Sequence, residues 1–468
     1  MSTVKTATPP VVLEHQAVIV YQLRTPELGD STYLVTSADE AAVVDAQRDV
    51  DRCEAALESL GVRLVAVLET HVHNDYVTGG PELARRQSAS YIVPRDSGYD
   101  GGRPVFEGDQ IEVGHIRVRA LFTPGHTAHH LSYEIVLGDE VLGVLSGGSV
   151  LVGAVGRCDL ISSHLTESLT RQQYHSAAKI GELPDPAVIG PTHGAGSFCT
   201  SSPASDETWT TVAREKERNP AFLIHDEDEF VHRQLAGLGA YPAYYAQMGS
   251  INRSGSRPWP LARLEELKPE RLARLMAKGV LAVDIRPRLE FAKGHLAGAV
   301  NVELEGPFSA YLGWMFPWGT RFVLVAASEQ EAQEAARQAA RIGIDGVDGW
   351  VRARGWKQAG LTIASYRSID METLKAELSE PGERRVLDIR QDSERAAGHI
   401  PGSVHVPIQD LPAKAPELAS WPGTTYVHCA SGYRAAIAAG LLKASGADVV
   451  HINGGFQDWA EKGHPVAH

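Results

Sequence analysis

A cysteine near the end of the chain lies where an apolar strand is expected to give way to a helix. The run Tyr426-Val-His-Cys429 is followed by Ala-Ser-Gly-Tyr-Arg434 and then by small residues typical of a buried helix. A turn of this kind directs backbone N–H groups into the loop, and these groups and the helix dipole together stabilise a thiolate. A purely structural cysteine would need neither the glycine turn nor the arginine. We therefore predict that Cys429 is a nucleophile.

The loop after Cys429 is expected to bind the substrate. The residues of this substrate-binding loop are Ala430, Ser431, Gly432 and Tyr433. Arg434 has two open roles, because its guanidinium can bind an anionic donor or can serve only to hold the loop in place. Cys429 and Arg434 are the catalytic residues that we predict for this part of the chain.

Four histidines in the first half of the chain form a second candidate constellation. His71 and His73 follow the apolar run 64–68, with Asp75 close behind. His126 and His193 lie in the glycine-containing turns Thr-Pro-Gly-His and Pro-Thr-His-Gly, where close backbone approach lets a side chain face a cleft. Imidazole and carboxylate ligands favour divalent zinc, iron or manganese. One such histidine alone would be a capping or core residue, but four in strand-turn contexts indicate a metal site.

The composition indicates the class of protein that carries these two groups of residues. The chain has 468 residues, 43% of them hydrophobic and 22% charged, with a net charge of −14. This composition excludes a collagen-like or disordered chain and disfavours nucleic acid and membrane surfaces as partners. Four scattered cysteines and an N-terminus without an apolar segment favour a reducing, cytoplasmic location. The length predicts about three domains.

An internal repeat defines the second half of the chain. The triplet Asp284-Ile-Arg286 recurs 104 positions later as Asp388-Ile-Arg390, and Gly294-His295 recurs as Gly398-His399. Two copies of one domain are predicted, at 260–363 and 364–468, each with helices and short strands alternating in a parallel α/β arrangement.

The middle copy differs from the last at the nucleophile. It has no cysteine and reads Leu324-Val-Ala-Ala-Ser328 where the last copy reaches Cys429. It therefore lacks the predicted thiol nucleophile, and Ser328 has no nearby base in sequence that would make it a nucleophile. The first domain, 1–255, is different again: short β-branched runs dominate it, and a linker rich in turn formers follows at 253–260.

The first domain resembles the metallo-β-lactamase superfamily. Its motifs T-H-x-H-x-D, T-P-G-H-T and P-x-H-G occur in the superfamily's order between residues 70 and 194. The resemblance implies an αββα sandwich. The segments 44–49, 156–160 and 241–248 look most like the persulfide dioxygenase branch, relatives of glyoxalase II that use mononuclear iron.

Two positions depart from the superfamily pattern. Tyr76 stands where a histidine is usual, and Gly148 stands where a metal-binding aspartate is usual. A second metal ion of the usual dinuclear type would need the missing histidine and the missing aspartate. A two-zinc hydrolase is therefore disfavoured, and we expect at most one metal ion. The resemblance to the iron branch implies that His71 and His126 are metal ligands.

Three outcomes are open for the rest of the metal site. His73 can complete a three-histidine site, an aspartate can supply an oxygen ligand, or the metal can be lost. The ligands that we predict are His71, His73 and His126, and the further candidates are Asp75, Asp159 and His193.

The last domain resembles a rhodanese, or sulfurtransferase, over its full length. The segment C-A-S-G-Y-R, the D-I-R and G-H-I-P-G segments before it and the Asn453-Gly-Gly455 segment after it carry this resemblance. Four residues separate Cys429 from Arg434, one fewer than in a phosphatase loop, and the smaller cradle suits the outer sulfur of a persulfide. The middle copy resembles a rhodanese without its cysteine.

Together these features predict a multidomain α/β and α+β protein that handles sulfane sulfur. The first domain would oxidise a low-molecular-weight persulfide to sulfite with Fe(II), and Cys429 would exchange sulfur among persulfide, thiosulfate or sulfite, and a thiol acceptor. The alternatives are a sulfurtransferase with a metal-free first domain, a mononuclear zinc thioester hydrolase, and a sulfur sensor without turnover. A homo-oligomer is compatible with the sequence.

Overall fold

The β-branched runs of the first half form two large sheets. The computed structural model describes residues 8–200, 207–260, 262–356 and 360–468. Two compact units are present, Met1–Leu261 with Ala340–Gly343, and Ala262–Ala339 with Ile344–His468. Among the described helices, none has both the length and the apolar character needed to cross a bilayer.

The first unit contains fifteen strands and seven helices among its described residues. The strands are β1 (Val11–His15), β2 (Val18–Thr25), β3 (Asp30–Ser37), β4 (Glu40–Val44), β5 (Arg63–Leu68), β6 (Ser90–Pro94), β7 (Arg103–Val105), β8 (Gln110–Val113), β9 (Ile116–Phe122), β10 (Leu131–Leu137), β11 (Glu140–Gly147), β12 (Val150–Leu151), β13 (Ala154–Val155), β14 (Val188–Pro191) and β15 (Thr210–Thr211). The helices are α1 (Asp51–Leu60), α2 (Gly80–Gln87), α3 (Thr166–Gly181), α4 (Val212–Arg218), α5 (Pro220–Leu223), α6 (Glu227–Ala236) and α7 (Tyr245–Ser254).

The core of this unit lies between the two sheets. One sheet has the order β1-β2-β3-β4-β5-β6-β7 and the other the order β15-β14-β11-β10-β9-β8. Val35 and Leu68 of the first sheet share one apolar cluster with Val118 and Tyr133 of the second. Helices α1 and α2 cover the outer face of the first sheet, and α3 covers that of the second. The αββα sandwich predicted from the sequence is therefore confirmed.

The second unit contains the two repeated copies. Its strands are β16 (Leu281–Asp284), β17 (His295–Leu296), β18 (Val300–Asn301), β19 (Phe322–Ala326), β20 (Val347–Arg352), β21 (Ile363–Ala364), β22 (Arg367–Ile369), β23 (Arg384–Asp388), β24 (Val404–His405), β25 (Thr424–Cys429) and β26 (Val449–Gly455). Its helices are α8 (Pro269–Met276), α9 (Arg288–Lys293), α10 (Phe308–Met315), α11 (Glu329–Arg341), α12 (Met371–Leu378), α13 (Asp392–Ala396), α14 (Leu411–Ala419), α15 (Tyr433–Ala444) and α16 (Phe456–Glu461).

Each copy is built on a parallel sheet, as its helix and strand alternation predicts. The orders are β18-β16-β19-β20 and β22-β26-β25-β23-β24, and the strand pairs in both sheets are parallel. Helix α12 begins behind Asp370, whose carboxylate accepts the backbone N–H of Thr373 at 2.8 Å. This capping bond is the usual way to satisfy an orphan donor at a helix start.

The repeat extends to individual hydrogen bonds. Arg286 donates to Asp284 at 2.6 Å and to the carbonyl of Gly294 at 3.0 Å. In the last copy, Arg390 makes the same bonds to Asp388 and Gly398, at 2.6 and 2.8 Å. In both copies the arginine thus joins the end of a strand, β16 or β23, to the turn that contains the glycine. The recurrence of the D-I-R and glycine motifs reflects these shared contacts.

Candidate active sites

Cys429 is the last residue of β25 and lies at the carboxyl edge of its parallel sheet. The backbone N–H of Gly432 donates to Cys429 Sγ at 3.1 Å, and α15 begins at the next residue. Gly432 has φ of +89°, which glycine adopts without the steric cost that a Cβ brings. On the neighbouring strand, Gly455 leaves room for the loop, because a Cβ there would lie 2.0 Å from the carbonyl oxygen of Ala430. The loop thus aims a backbone donor at a buried thiol, as the sequence predicts.

Arg434 is bound by a carboxylate that the sequence argument did not use. Both oxygens of Glu394, in α13, accept from Arg434 at 2.6 Å in a two-pronged ion pair. Burial works against the charge on Arg434, but the hydrogen bonds to Glu394, together with the nearby Tyr311 and Cys429, outweigh it and raise the pKa of the guanidinium. Of the two roles left open for Arg434, the contacts favour the one that holds the loop. Glu394 had a signal in the sequence, because Glu290 occupies the same place in the middle copy.

The middle copy packs against the substrate-binding loop. The hydroxyl of Tyr433 donates to the carbonyl of Glu303 at 2.9 Å, and its ring lies 5.6 Å from that of Tyr311. Burial raises the pKa of Tyr311 to about 12; Arg434 opposes the rise, and Cys429 and Glu394 add to it. The copy without a cysteine therefore provides one wall of the region around Cys429.

The strand register identifies what replaces Cys429 in the middle copy. Asp388 pairs with His428, and the equivalent Asp284 pairs with Val325, so Ala326 is the counterpart of Cys429. The hydroxyl of Ser328 instead accepts the backbone N–H of Glu331 at 3.2 Å, at the start of α11. Ser328 therefore caps helix α11, which agrees with the expectation that it does not act as a nucleophile.

In the first unit, three imidazoles converge from the ends of three strands. His71 follows β5, His126 follows β9 and His193 follows β14. One ring nitrogen from each lies within 4.8 Å of the other two, and the Nε2 atoms of His71 and His193 are 3.3 Å apart. A tetrahedral metal with ligands about 2.0–2.1 Å away separates its ligand atoms by about 3.3 Å, so this spacing suits a shared metal ion.

Each of the three rings is held through its other nitrogen. His126 Nδ1 lies 2.7 Å from the carbonyl of Arg157, and His193 Nδ1 lies 2.9 Å from Asp30 Oδ1. His71 Nδ1 lies 2.8 Å from the hydroxyl of Thr70. Partners of this kind orient a ring and leave Nε2 free to bind a metal. His126 Nε2 accordingly is buried without a hydrogen-bond partner.

Electrostatics divides the three histidines into two kinds. Burial lowers the pKa of His71 well below its usual value and that of His126 to about 3, so both rings are neutral and present lone pairs. Burial also acts on His193, but Asp75 and Asp30 outweigh it and raise the pKa of this ring to about 10. Without a metal, His193 is therefore protonated on both ring nitrogens at neutral pH, and a metal ion at this position would replace the proton on Nε2.

The remaining candidates occupy different surroundings. His73 Nε2 lies 3.2 Å from Asp45 Oδ1 and 3.6 Å from Glu69 Oε2, so this ring faces two carboxylates. Asp75 Oδ2 is 3.0 Å from His193 Nδ1. Asp159 forms a two-pronged ion pair with Arg157 at 2.7 and 2.8 Å and lies outside the candidate ligand groups of the described residues. The third imidazole beside His71 and His126 is thus His193, where the sequence argument had expected His73.

The two departures from the superfamily pattern have visible consequences. A Cβ on Gly148 would lie 2.2 Å from Cδ2 of His126, so the imidazole fills the space where the usual aspartate would begin. Tyr76 is buried and its ring stacks on that of His73 with centroids 4.3 Å apart. Gly148 has no side chain to offer a metal, and the late Pro-Thr-His193-Gly turn is the sequence signal for the third imidazole.

Comparisons with known proteins agree with this organisation. Residues 25–206 match the family described as "Metallo-beta-lactamase superfamily", and residues 268–358 and 370–462 match the family described as "Rhodanese-like domain". The chain therefore consists of a metallo-beta-lactamase superfamily domain followed by two rhodanese-like domains, as the sequence predicts.

The first domain is similar to two kinds of curated protein. It is 33% identical over 168 residues to the hydroxyacylglutathione hydrolase of Gloeobacter violaceus, covering 34% of this chain and 63% of that protein. It is 28% identical over 219 residues to the mitochondrial persulfide dioxygenase ETHE1 of Homo sapiens, covering 46% of this chain and 79% of that protein. The chain spans less than two thirds of the length of the first curated relatives it matches.

One solved structure is similar over more than a single domain. The crystal structure of a metallo-beta-lactamase from Staphylococcus aureus has a TM-score of 0.66 and 26% sequence identity with this chain. It covers 72% of this chain and 100% of its own.

Proposed function

We propose that this protein is a sulfane-sulfur enzyme in which Cys429 carries sulfur and the first domain oxidises a low-molecular-weight persulfide. The proposal rests on one observation above all, the N–H of Gly432 that donates to Cys429 Sγ at 3.1 Å where α15 begins. That bond and the positive end of the helix favour the thiolate that attacks sulfur. The rhodanese-like domains and the similarity to a persulfide dioxygenase support an enzyme of sulfur metabolism.

Sulfur transfer at Cys429 needs no external oxidant. The thiolate attacks the outer sulfur of thiosulfate, the S–S bond breaks, and sulfite leaves with the electron pair. The enzyme then holds Cys429-S-S⁻. An acceptor thiolate attacks the terminal sulfur, takes it as a persulfide, and restores the Cys429 thiolate. Because Glu394 holds Arg434 at the base of the loop, the backbone N–H groups provide the main contacts to the transferred sulfur.

The first domain fits one divalent metal ion on His71, His126 and His193. The fit rests on the buried, unpartnered Nε2 of His126 and on the 3.3 Å spacing of the other two Nε2 atoms. When bound, Fe(II) in a site with open positions lets a persulfide sulfur and O₂ react side by side. The carbonyl of Arg157 and the carboxylate of Asp30 orient two of the rings toward this position.

The proposed oxidation connects the two activities. Its balance is R-S-SH + O₂ + H₂O giving R-SH + HSO₃⁻ + H⁺, so the sulfane sulfur gives four electrons to O₂. The sulfite formed can accept sulfur from Cys429-S-S⁻ and leave as thiosulfate. The expected small molecules are therefore a thiol persulfide, sulfite, thiosulfate and a thiol acceptor.

Metal analysis combined with O₂ uptake tests the oxidation. The full-length protein, purified with iron, is expected to hold iron and to consume O₂ when glutathione persulfide is added, and His126→Ala is expected to lose both. Zinc without O₂ uptake would support a thioester hydrolase instead. Absence of any bound metal would leave sulfur transfer as the sole activity.

The sulfur transfer is tested separately by Cys429→Ser. This variant is expected to lose thiosulfate-dependent thiocyanate formation, whereas Cys53→Ala, a buried cysteine in α1 of the first unit, is expected to keep it. Unchanged activity in Cys429→Ser would refute the role of this thiol without affecting the metal proposal.

A further inference from the structure

A second buried cluster lies beside the three imidazoles and combines one imidazole with two carboxylates. Asp45, Glu69 and His73 each offer one ligand atom within 4.8 Å of the other two, and all three side chains are buried. Asp45 follows β4, whereas Glu69 and His73 follow β5. The proposed reactions use none of these three side chains.

The cluster has unsatisfied polar atoms that point at one another. Glu69 Oε2 and both ring nitrogens of His73 are buried without a hydrogen-bond partner. His73 Nε2 is only 3.2 Å from Asp45 Oδ1, but the approach does not have the geometry of a hydrogen bond. Buried polar atoms are nearly always paired. Glu69 Oε2 and His73 Nε2 face each other at 3.6 Å, so these two unpaired atoms indicate a missing partner between them.

The other hydrogen bonds of the two carboxylates come from backbone and hydroxyl donors. Asp45 accepts from the N–H of Thr70 at 2.8 Å and from the hydroxyls of Thr70 and Thr192. Glu69 Oε1 accepts from the hydroxyls of Thr78 and Tyr91. All these donors are uncharged. These donors occupy Asp45 and Glu69 Oε1 but leave Glu69 Oε2 without a hydrogen-bond partner beside the ring of His73.

The distances suit a small divalent cation. His73 Nε2 is 3.2 Å from Asp45 Oδ1 and 3.6 Å from Glu69 Oε2. Tetrahedral zinc, with nitrogen and oxygen ligands at about 2.0–2.2 Å, spaces its ligand atoms by about 3.3–3.6 Å. We propose that Asp45, Glu69 and His73 bind a second divalent cation of the zinc type, separate from the ion on His71, His126 and His193.

The two sites can be filled together because they share no residue. A third candidate group, His73 with Asp75 and His193, takes one residue from each and can form only in their place. From the sequence at most one metal ion was expected, because Tyr76 and Gly148 replace the usual ligands of a second ion. The proposed site uses different ligands, and Tyr76 becomes the ring that stacks on His73.

The second cation would position the first site. The hydroxyl of Thr70 donates to Asp45 Oδ2 at 2.7 Å and also lies 2.8 Å from His71 Nδ1. A cation that fixes Asp45 would therefore also hold Thr70, whose hydroxyl orients His71 of the three-imidazole site.

Counting bound zinc in matched variants tests this inference. Chelator-treated full-length protein is reconstituted with Zn²⁺, passed through gel filtration and analysed for metal. Two equivalents are expected in the wild type and one in Glu69→Gln, which keeps the shape of the side chain but removes its charge. His126→Ala is expected to keep one equivalent. Tyr91→Phe removes only a hydrogen bond to Glu69 and is expected to keep both.

The outcomes separate this inference from the proposed metal site of the first domain. One equivalent in both the wild type and Glu69→Gln would overturn the second site and leave the three imidazoles. One equivalent that only Glu69→Gln removes would support the second site and refute the first, and no zinc in the wild type would refute both. If Glu69→Gln fails to fold, zinc-edge anomalous diffraction of wild-type crystals replaces it. A peak bounded by Asp45, Glu69 and His73 is expected, and its absence would overturn the inference.

Discussion

The ion pair between Arg434 and Glu394 provides the sharpest test of how the sulfur-transfer loop is held. Replacement of Glu394 by glutamine keeps the size of the side chain but turns one of its two acceptors into a donor. That donor would face the guanidinium N–H groups, which now make two contacts of 2.6 Å. The perturbation therefore removes the charge balance of the pair and one of its two hydrogen bonds.

The expected loss of stability follows from the burial of the pair. Breaking a fully buried ion pair costs about 3–5 kcal/mol, and an exposed pair is worth about 0–1 kcal/mol. The side chain of Arg434 is 13% exposed and that of Glu394 is 31% exposed, so we expect an intermediate loss of about 1–3 kcal/mol. For a unit of this size, each kcal/mol lowers Tm by about 2–4 °C.

Thermal unfolding and steady-state kinetics of the full-length variant distinguish the two roles of Arg434. If Arg434 holds the loop, Glu394→Gln lowers Tm and reduces kcat for thiosulfate sulfurtransfer. Glu380→Gln, which alters a pair with Arg384 in which the carboxylate is 65% exposed, is the matched control and should change stability by less than about 0.5 kcal/mol. An unchanged Tm together with a lower KM for thiosulfate would refute the reasoning, because it would mean that Glu394 merely competes with the substrate for Arg434.

Three further predictions follow from the same contacts. Although burial opposes the shift, Arg434 lowers the pKa of Glu394 below its usual 4.5. The ionised carboxylate therefore stabilises the fold above that pH, and the stabilisation is lost as the pH falls. The difference in Tm between the wild type and Glu394→Gln should accordingly disappear on acidification. A gap that persists at the lowest pH would contradict this. Gly432→Ala should cost about 1 kcal/mol of stability at its φ of +89° and lower kcat as the N–H moves from Cys429 Sγ; unchanged kcat would argue against that donor. Ser328→Ala should lose about 1 kcal/mol of capping stability and keep full sulfurtransfer, so inactivity would reopen a catalytic role for Ser328.

Local sequence information was sufficient for much of the architecture. The internal repeat placed two copies of one α/β domain, because each D-I-R motif encodes an ion pair between near neighbours in the chain. Cys429 was identified for the same reason: the strand, the glycine turn and the helix start that surround it are contiguous. The helix behind Asp370 also depended only on local capping.

Contacts between distant segments were beyond the reach of these local arguments. Spacing along the chain grouped His71 with His73, and their ring centroids are indeed 4.0 Å apart. Their Nε2 atoms nevertheless face different partners, His193 for His71 and Asp45 for His73. His193 follows β14 of one sheet and His71 follows β5 of the other, so the two rings meet only because the two sheets pack against each other. Glu394 lies 40 positions before Arg434, and Asp45 precedes Glu69 on a separate strand.

The sequence by itself therefore determined the types of domain, and it supplied the candidates for a nucleophile and for metal ligands. Only the tertiary structure decided which of those residues meet, that Arg434 is bound by Glu394, and that His73 faces two carboxylates. The physical reason is that elements and motifs depend on neighbours in the chain, whereas ligand sets and buried ion pairs depend on how strands are ordered in a sheet.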